Sequence, residues 1–176
     1  LHTGASSTLA SQLLRGSKSD LFISANRTWL ATLEKKGLIG ANDMQVLATN
    51  RIVLATKSNS GVAWTPGDPL VEAFRGRLAI GNPDHVPLGM YAREALENMG
   101  QWTELQGRLL PAQNSSAALA YILNGHADAG IIYQTDLMHS NDLTVIHAFD
   151  APQPGIWSGA LTSGKGDEFA RFLTSK

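Results

Sequence analysis

The feature that most constrains the fold is a strand-like run, a tight turn and a helix-like run in the middle of the chain. Residues 77–80 form the strand-like run, residues 81–90 contain two glycines and two prolines, and a helical pattern begins at Tyr91. A helix leaves its first four backbone N–H groups without intrahelical acceptors. A strand, a sharp turn and a helix start therefore place free N–H groups at one point, where an α/β protein can hold an anion.

Strand-like and helix-like segments alternate along most of the chain. Strand-like runs occupy residues 20–25, 51–55, 129–133, 144–149 and 156–161. Helical patterns occupy residues 26–36, 91–99 and 167–173, and another begins near Ser115. This alternation predicts an α/β fold with mainly parallel sheets flanked by helices. Continuous apolar runs are typical of strands buried in such sheets, and the last strand is expected to return to the first part of the fold.

Size and composition limit the classes of protein to consider. The 176 residues can form one domain or two small lobes, and the net charge of −1 suggests neither a nucleic-acid surface nor a polybasic membrane patch. The absence of cysteine excludes disulfides, thiolate metal sites and a cysteine nucleophile. No apolar run is long enough to span a bilayer. We therefore expect no nucleic-acid partner and no direct membrane insertion.

Four segments of the chain carry a family resemblance. They are Gly4-Ala5-Ser6-Ser7-Thr8-Leu9-Ala10, residues 19–25, the central stretch at residues 81–91, and Ala129-Gly130-Ile131-Ile132-Tyr133. Each segment alone is a weak signal, but the four in this order and spacing form a strong one. Together they resemble the periplasmic molybdate-binding proteins, which are the soluble receptors of ABC importers for oxyanions.

The resemblance implies a two-lobed periplasmic-binding-protein fold whose lobes close on a tetrahedral oxyanion. Lobe 1 would hold residues 1–53 and 156–176, and lobe 2 would hold residues 54–155. Family members begin with a strand and a helix ahead of the point where this chain starts, at Leu1. Lobe 1 is therefore expected to be incomplete, lacking that strand and helix, and the chain is expected to be truncated there and after Lys176. An unpaired sheet edge would allow strand exchange between copies, although the family is monomeric.

The resemblance also assigns four ligand-binding residues. Ser6 would offer its hydroxyl and its N–H, Leu88 and Ser115 would each offer a backbone N–H at a helix start, and Tyr133 would offer its phenol. Neutral donors arranged in advance can replace the hydration shell of a dianion. The expected ligand is molybdate or tungstate in preference to the smaller sulfate, with no cofactor and no direct protein–metal ligands.

Taken singly, each of these residues has a simpler interpretation. Ser6 and Ser115 lie in runs that would serve as ordinary helix N-caps, Leu88 lies in a Pro-Leu-Gly turn, and Tyr133 could be a packing residue at a strand end. Asp84 and His85 invite a metal or acid–base interpretation. Without a third ligand at a recognisable spacing they are expected to be turn residues, with Asp84 capping local N–H groups.

The function implied by the resemblance is that of a periplasmic substrate-binding protein of an ABC importer, with a membrane permease as its partner. An enzyme is not expected, because the chain has no Gly-x-Ser-x-Gly elbow, no P-loop and no dinucleotide fingerprint. Two alternatives stay open. One is a binding protein for another small oxyanion such as sulfate, and the other is the effector-sensing domain of a transcription regulator.

Overall fold

The computed structural model describes residues 1–150, 152–161 and 166–175. The chain divides into two compact units: the first is Leu1–Thr49 with Pro154–Lys176, and the second is Asn50–Gln153. In chain order, the described helices and strands are α1 (Ser6–Leu14), β1 (Leu21–Ser24), α2 (Arg27–Lys35), β2 (Ile39–Thr49), β3 (Ile52–Lys57), β4 (Leu78–Gly81), α3 (Pro87–Asn98), α4 (Trp102–Leu105), β5 (Leu109–Ala112), α5 (Ser115–Leu123), β6 (Ala129–Tyr133), β7 (Leu143–Ala148), β8 (Gly155–Leu161) and α6 (Gly166–Thr174).

The first unit contains a three-stranded antiparallel sheet in the order β1-β8-β2. One face of this sheet packs against α1 and α2 around a small apolar core: Ala10, Leu13, Phe22, Leu30, Leu33, Ile39 and Leu161. Gly159 lies on β8 at the centre of this contact, where a Cβ atom would come within 2.8 Å of the Leu30 side chain. A side chain at this position would have to push the ends of Leu30 and Ile39 aside, so glycine favours the close approach of α2 to the sheet. The return of the last strand to the first part of the fold is confirmed.

The second unit contains a five-stranded mixed sheet in the order β5-β4-β6-β3-β7. Strand β4 pairs in parallel with β5 and β6, whereas β3 pairs antiparallel with β6 and β7. Every residue of β4 and β6 is buried, as are the first five residues of β3. Helices α3 and α5 pack against β4 and β6, so the apolar strands are covered as an α/β layer requires.

The α/β class is confirmed, but the expectation of mainly parallel sheets is wrong in two places. All described pairings of the first sheet are antiparallel, and so are both pairings of β3. The physical reason is that a continuous apolar run reports burial on both faces, not strand direction. Strand β3 is buried like a parallel strand but runs against its neighbours. It also lies wholly in the second unit, whereas the expected boundary after residue 53 would divide it.

Two strands were not predicted from the sequence. Strand β2 has eleven residues and two register shifts along its pairing with β8, and its polar Asn42 and Asp43 break the alternation expected of a strand. Strand β5 is short and contains Pro111, which is tolerated because β5 is an outer strand. Gly16 and Gly125, which follow the ends of α1 and α5, have positive φ angles of 95° and 74°, as is common where helices end.

In the described part of the chain the longest helix is α3, with 12 residues. No helix within these residues combines the length and the apolar character needed to cross a membrane.

Candidate functional site

Three parallel strands of the second unit end at one edge of its sheet. Gly81 at the end of β4 is in register with Ala112 at the end of β5, and Ala79 on β4 is in register with Gly130 on β6. The N–H of Asn82 donates to the Ala112 carbonyl oxygen at 2.8 Å, which ties the two strand ends together. Whatever follows β4, β5 and β6 is therefore brought to the same edge, where ligands of open α/β sheets bind.

Helix α3 begins at this edge directly after the turn that follows β4. Its first residue is Pro87, which needs no acceptor for a backbone N–H, and its second is Leu88. The Leu88 side chain is fully buried in the core, so its backbone N–H is the group that the helix start can offer. A Cβ atom on Gly89 would collide with the carbonyl oxygen of Gly81. Glycine at position 89 thus lets the helix begin in contact with the strand end.

Helix α5 begins at the same edge directly after β5. Ser115 is its first residue, and the N-cap is Asn114, whose Oδ1 accepts the N–H of Ala117 at 2.8 Å. The N-cap therefore satisfies the third N–H of the helix and leaves the N–H groups of Ser115 and Ser116 as its first donors. Neither α3 nor α5 carries an acidic residue in its first turn.

Tyr133 is the last residue of β6 and is 9% exposed. Its hydroxyl is buried and makes no hydrogen bond to any of the residues that the structure describes. Its backbone N–H donates to Oδ2 of Asp136 at 3.1 Å, which fixes the strand end. Burial raises the pKa of Tyr133 well above its ordinary value, and the nearby Tyr91 and Asp136 raise it further. The phenol is therefore a neutral hydrogen-bond donor throughout the physiological pH range.

The first unit has its own helix start next to a strand end. Ser6 is the first residue of α1, is buried, and accepts the N–H of Ala25 on its Oγ at 3.0 Å. Its own O–H and N–H remain able to donate. The next residue, Ser7, is also buried, and its Oγ makes no hydrogen bond within the described residues. The first turn of α1 also carries no acidic residue.

Of the four residues assigned from the sequence, the structure brings Leu88, Ser115 and Tyr133 to one edge of the second unit, while Ser6 lies in the first unit. Their contact with a ligand stays a prediction. Two features of this edge were not predicted from the sequence: the cap at Asn114 and the nearness of Tyr91 to Tyr133. An Asn before a helical run was a usable signal.

No metal-binding cluster is found among the described residues, where no group of three or more His, Cys, Asp or Glu side chains comes together. Asp84 and His85 are both exposed on the turn before α3. The expectation that Asp84 caps this turn is wrong, because the side-chain acceptor is Oδ1 of Asn82, which receives the Asp84 N–H at 2.9 Å. An amide oxygen does the same work as a carboxylate here and keeps the turn uncharged at that position.

Comparison with known proteins gives one family. A sequence family described as bacterial extracellular solute-binding protein matches residues 1–176. The molybdate-binding protein ModA of Escherichia coli is 37% identical over 154 residues, which cover 82% of this chain and 58% of that protein. The molybdate-binding protein ModA of Haemophilus influenzae is 31% identical over 180 residues, which cover 97% of this chain and 71% of that protein. The chain thus spans little more than half the length of the first relative.

A solved structure gives the same fold. The periplasmic molybdate-binding protein of Azotobacter vinelandii superposes on 99% of this chain and 80% of its own, with a TM-score of 0.82 and 18% sequence identity. At this identity the likeness concerns the fold, and it agrees with the two-lobed architecture of periplasmic binding proteins.

Proposed function

Because this chain belongs to the bacterial extracellular solute-binding proteins, we propose that it binds molybdate or tungstate and delivers it to the membrane permease of an ABC importer. The proposed ligands of the oxyanion are the hydroxyl and N–H of Ser6, the N–H groups of Leu88 and Ser115, and the hydroxyl of Tyr133. The proposed location is the periplasm. The proposal includes no chemistry on the ligand.

The observation that carries the proposal is the set of neutral donors at the carboxyl edge of β4, β5 and β6. Two helix starts and a buried phenol without a hydrogen-bonding partner in the described chain converge there. A helix start stabilises negative charge through its free N–H groups and its dipole. A cation or a neutral apolar solute would gain nothing from the same arrangement. The names of two relatives with 37% and 31% identity support molybdate as the anion.

Donors of this kind suit a dianion that must be released unchanged. Neutral N–H and O–H groups replace the hydration shell without forming a fixed ion pair, so selection depends on anion size and on complete satisfaction of the anion's oxygen atoms. The raised pKa of Tyr133 supports this role, because a phenolate at that position would repel the ligand. A hydroxyl that is already desolvated also loses little hydration when the anion arrives.

Isothermal titration calorimetry tests the proposal with sodium molybdate, sodium tungstate and sodium sulfate, each added separately to the same protein preparation. We expect saturable binding of molybdate and tungstate, and molybdate binding that persists in a large excess of sulfate. Circular dichroism on the same sample verifies that the protein is folded. Loss of the heat of molybdate binding in excess sulfate would favour a binding protein for sulfate. A folded protein that binds none of the three anions would contradict the proposal.

A further inference from the structure

The start of α1 contains a buried hydroxyl that the proposed ligand set does not use. Ser7 is the second residue of this nine-residue helix, and it is 5% exposed. Its Oγ makes no hydrogen bond to any residue in the described part of the chain. The N-cap residue is Ala5, which has no side-chain acceptor for the first-turn N–H groups. The first-turn N–H groups of α1 and the Ser7 hydroxyl are therefore donors for which the N-cap side chain provides no acceptor.

The geometry of a helix places the Cβ of Ser7 on the side of these donors. Side chains in an α-helix lean toward the N-terminus of the helix, so the Cβ of a residue in the first turn lies on the side of the free N–H groups. Ser6 and Ser7 are neighbours there but play different parts. The Ser6 oxygen already accepts the N–H of Ala25, whereas the Ser7 oxygen has no such structural use among the described residues.

A buried hydroxyl without a partner is a cost to the folded protein. Removing water from a hydroxyl that then makes no hydrogen bond is unfavourable, and native proteins contain few such groups. An anion at the helix start would supply an acceptor for the hydroxyl and for the N–H groups together.

We propose that Ser7 is a further ligand-binding residue, whose hydroxyl donates a hydrogen bond to the bound tetrahedral oxyanion beside Ser6. The inference rests on the proposed function and deepens it, because it adds a donor from α1 to the anion's coordination. It also predicts opposite effects of two neighbouring serines on stability. Ser6 stabilises the free protein through the Ala25 N–H, whereas Ser7 does not.

The test compares four variants by molybdate calorimetry and by thermal unfolding without ligand. Ser7→Ala should weaken molybdate binding about tenfold or more, since a hydrogen bond to a charged group is lost, and should leave Tm unchanged or raised. Ser6→Ala should lower Tm, because the Ala25 N–H loses its acceptor.

Ser11→Ala on the same helix is the control for the chemical change. Ser158→Ala on β8, which also removes a buried hydroxyl without a partner in the described chain, is the control for burial.

The outcomes separate this inference from the proposed function. Ser11→Ala and Ser158→Ala should keep the affinity of the wild-type protein. Wild-type binding of molybdate together with unchanged affinity of Ser7→Ala would overturn the role of Ser7 and leave the proposed function intact. A clear fall in Tm for Ser7→Ala would assign the hydroxyl to internal structure and would also overturn it. If the folded wild-type protein binds no molybdate, the proposed function and this inference both fail.

Discussion

The two units present their donors on different supports. In the second unit, two helix starts and a strand-end phenol lie along three parallel strands whose register is fixed residue by residue. In the first unit, one helix start lies beside the end of β1, in a sheet of three antiparallel strands. The second unit thus fixes several donors through a shared sheet. The first unit relies on one side-chain hydrogen bond, from the Ala25 N–H to Ser6.

The second unit also has more large, fully buried apolar side chains than the first unit. Among the largest fully buried side chains of the described residues, three lie in the first unit and nine in the second. Exposed large apolar side chains show the reverse distribution, with seven in the first unit and two in the second. Burial of apolar surface is the main favourable term in folding. The second unit therefore supports its donors with a larger apolar core than the first unit has.

The largest expected effect comes from matched deletions in the two cores. Leu30 on α2 and Leu54 on β3 are both 0% exposed. Replacing either with alanine should cost about 2–5 kcal/mol of unfolding free energy in its own unit. Because the first unit has fewer such side chains, Leu30→Ala should remove amide protection from β1, β2 and β8, while Leu54→Ala should leave the second unit folded. Hydrogen exchange measured by mass spectrometry follows each unit. Equal loss of protection in both units for both variants would show that they unfold as one.

The second effect concerns Tyr133. Tyr133→Phe removes one donor with little change in volume, so the free energy of molybdate binding should weaken by about 1.5–3 kcal/mol. Stability without ligand should stay the same or rise, because the buried hydroxyl makes no hydrogen bond within the described residues. Tyr121→Phe on α5 is the control for the same chemical change and should bind normally. Calorimetry that finds equal affinity for Tyr133→Phe and the wild-type protein would remove Tyr133 from the site.

A third effect appears at alkaline pH and again isolates the second unit. The pKa of Tyr133 is raised in the folded state, and an unfolded tyrosine has a pKa of about 10. Below that value both states hold the proton and this group gives no pH dependence. Above it the unfolded state loses the proton first, so stability should fall by about 1.4 kcal/mol per pH unit from this residue.

Urea unfolding between pH 9 and 11 measures this dependence. Tyr133→Phe should show a shallower loss of stability than the wild-type protein over that range. Parallel curves for the two proteins would contradict the raised pKa of the buried phenol. The two proteins differ only in this side chain, so the contributions of all other groups cancel in the difference.

The smallest effect concerns the helix caps. The N-cap Asn114 of α5 accepts a backbone N–H through its side chain, whereas the N-cap Ala5 of α1 has no such bond. Asn114→Ala should destabilise the second unit by about 1 kcal/mol. Asn114→Ser retains an acceptor and should recover most of the loss. Urea unfolding at neutral pH measures the free energy of unfolding of the wild-type protein and of the two variants. A variant Asn114→Ala as stable as the wild-type protein would show that the cap contributes nothing.

Much of the second unit could be predicted because its signals are local. The apolar run at β6, the Gly and Pro residues before α3, and the Ser residues at α5 each define an element within a few residues of sequence. Strand directions could not be obtained in this way. The apolar run of β3 suits a buried strand of either direction, and only its pairing with β6 and β7 shows that it is antiparallel.

The candidate site likewise has features that the sequence predicts and features that it does not. The residue types of Ser6, Leu88, Ser115 and Tyr133, and the placement of three of them at helix starts, followed from the sequence and the family resemblance it carries. The sequence could not show that Tyr91 approaches Tyr133, or that Ser7 is buried without a partner in the described chain. Burial and nearness across elements depend on atoms that are distant in sequence.

The alternation of strands and helices, and the residues that could donate to an anion, could be predicted from the sequence, because propensity, periodicity and turn chemistry act over a few neighbouring residues. Tertiary packing was needed to show that Leu88, Ser115 and Tyr133 share one edge, and that Ser6 and Ser7 differ in hydrogen bonding. The physical reason is that a donor without an acceptor is defined by everything packed around it. Such packing is set by the register of strands far apart in the chain.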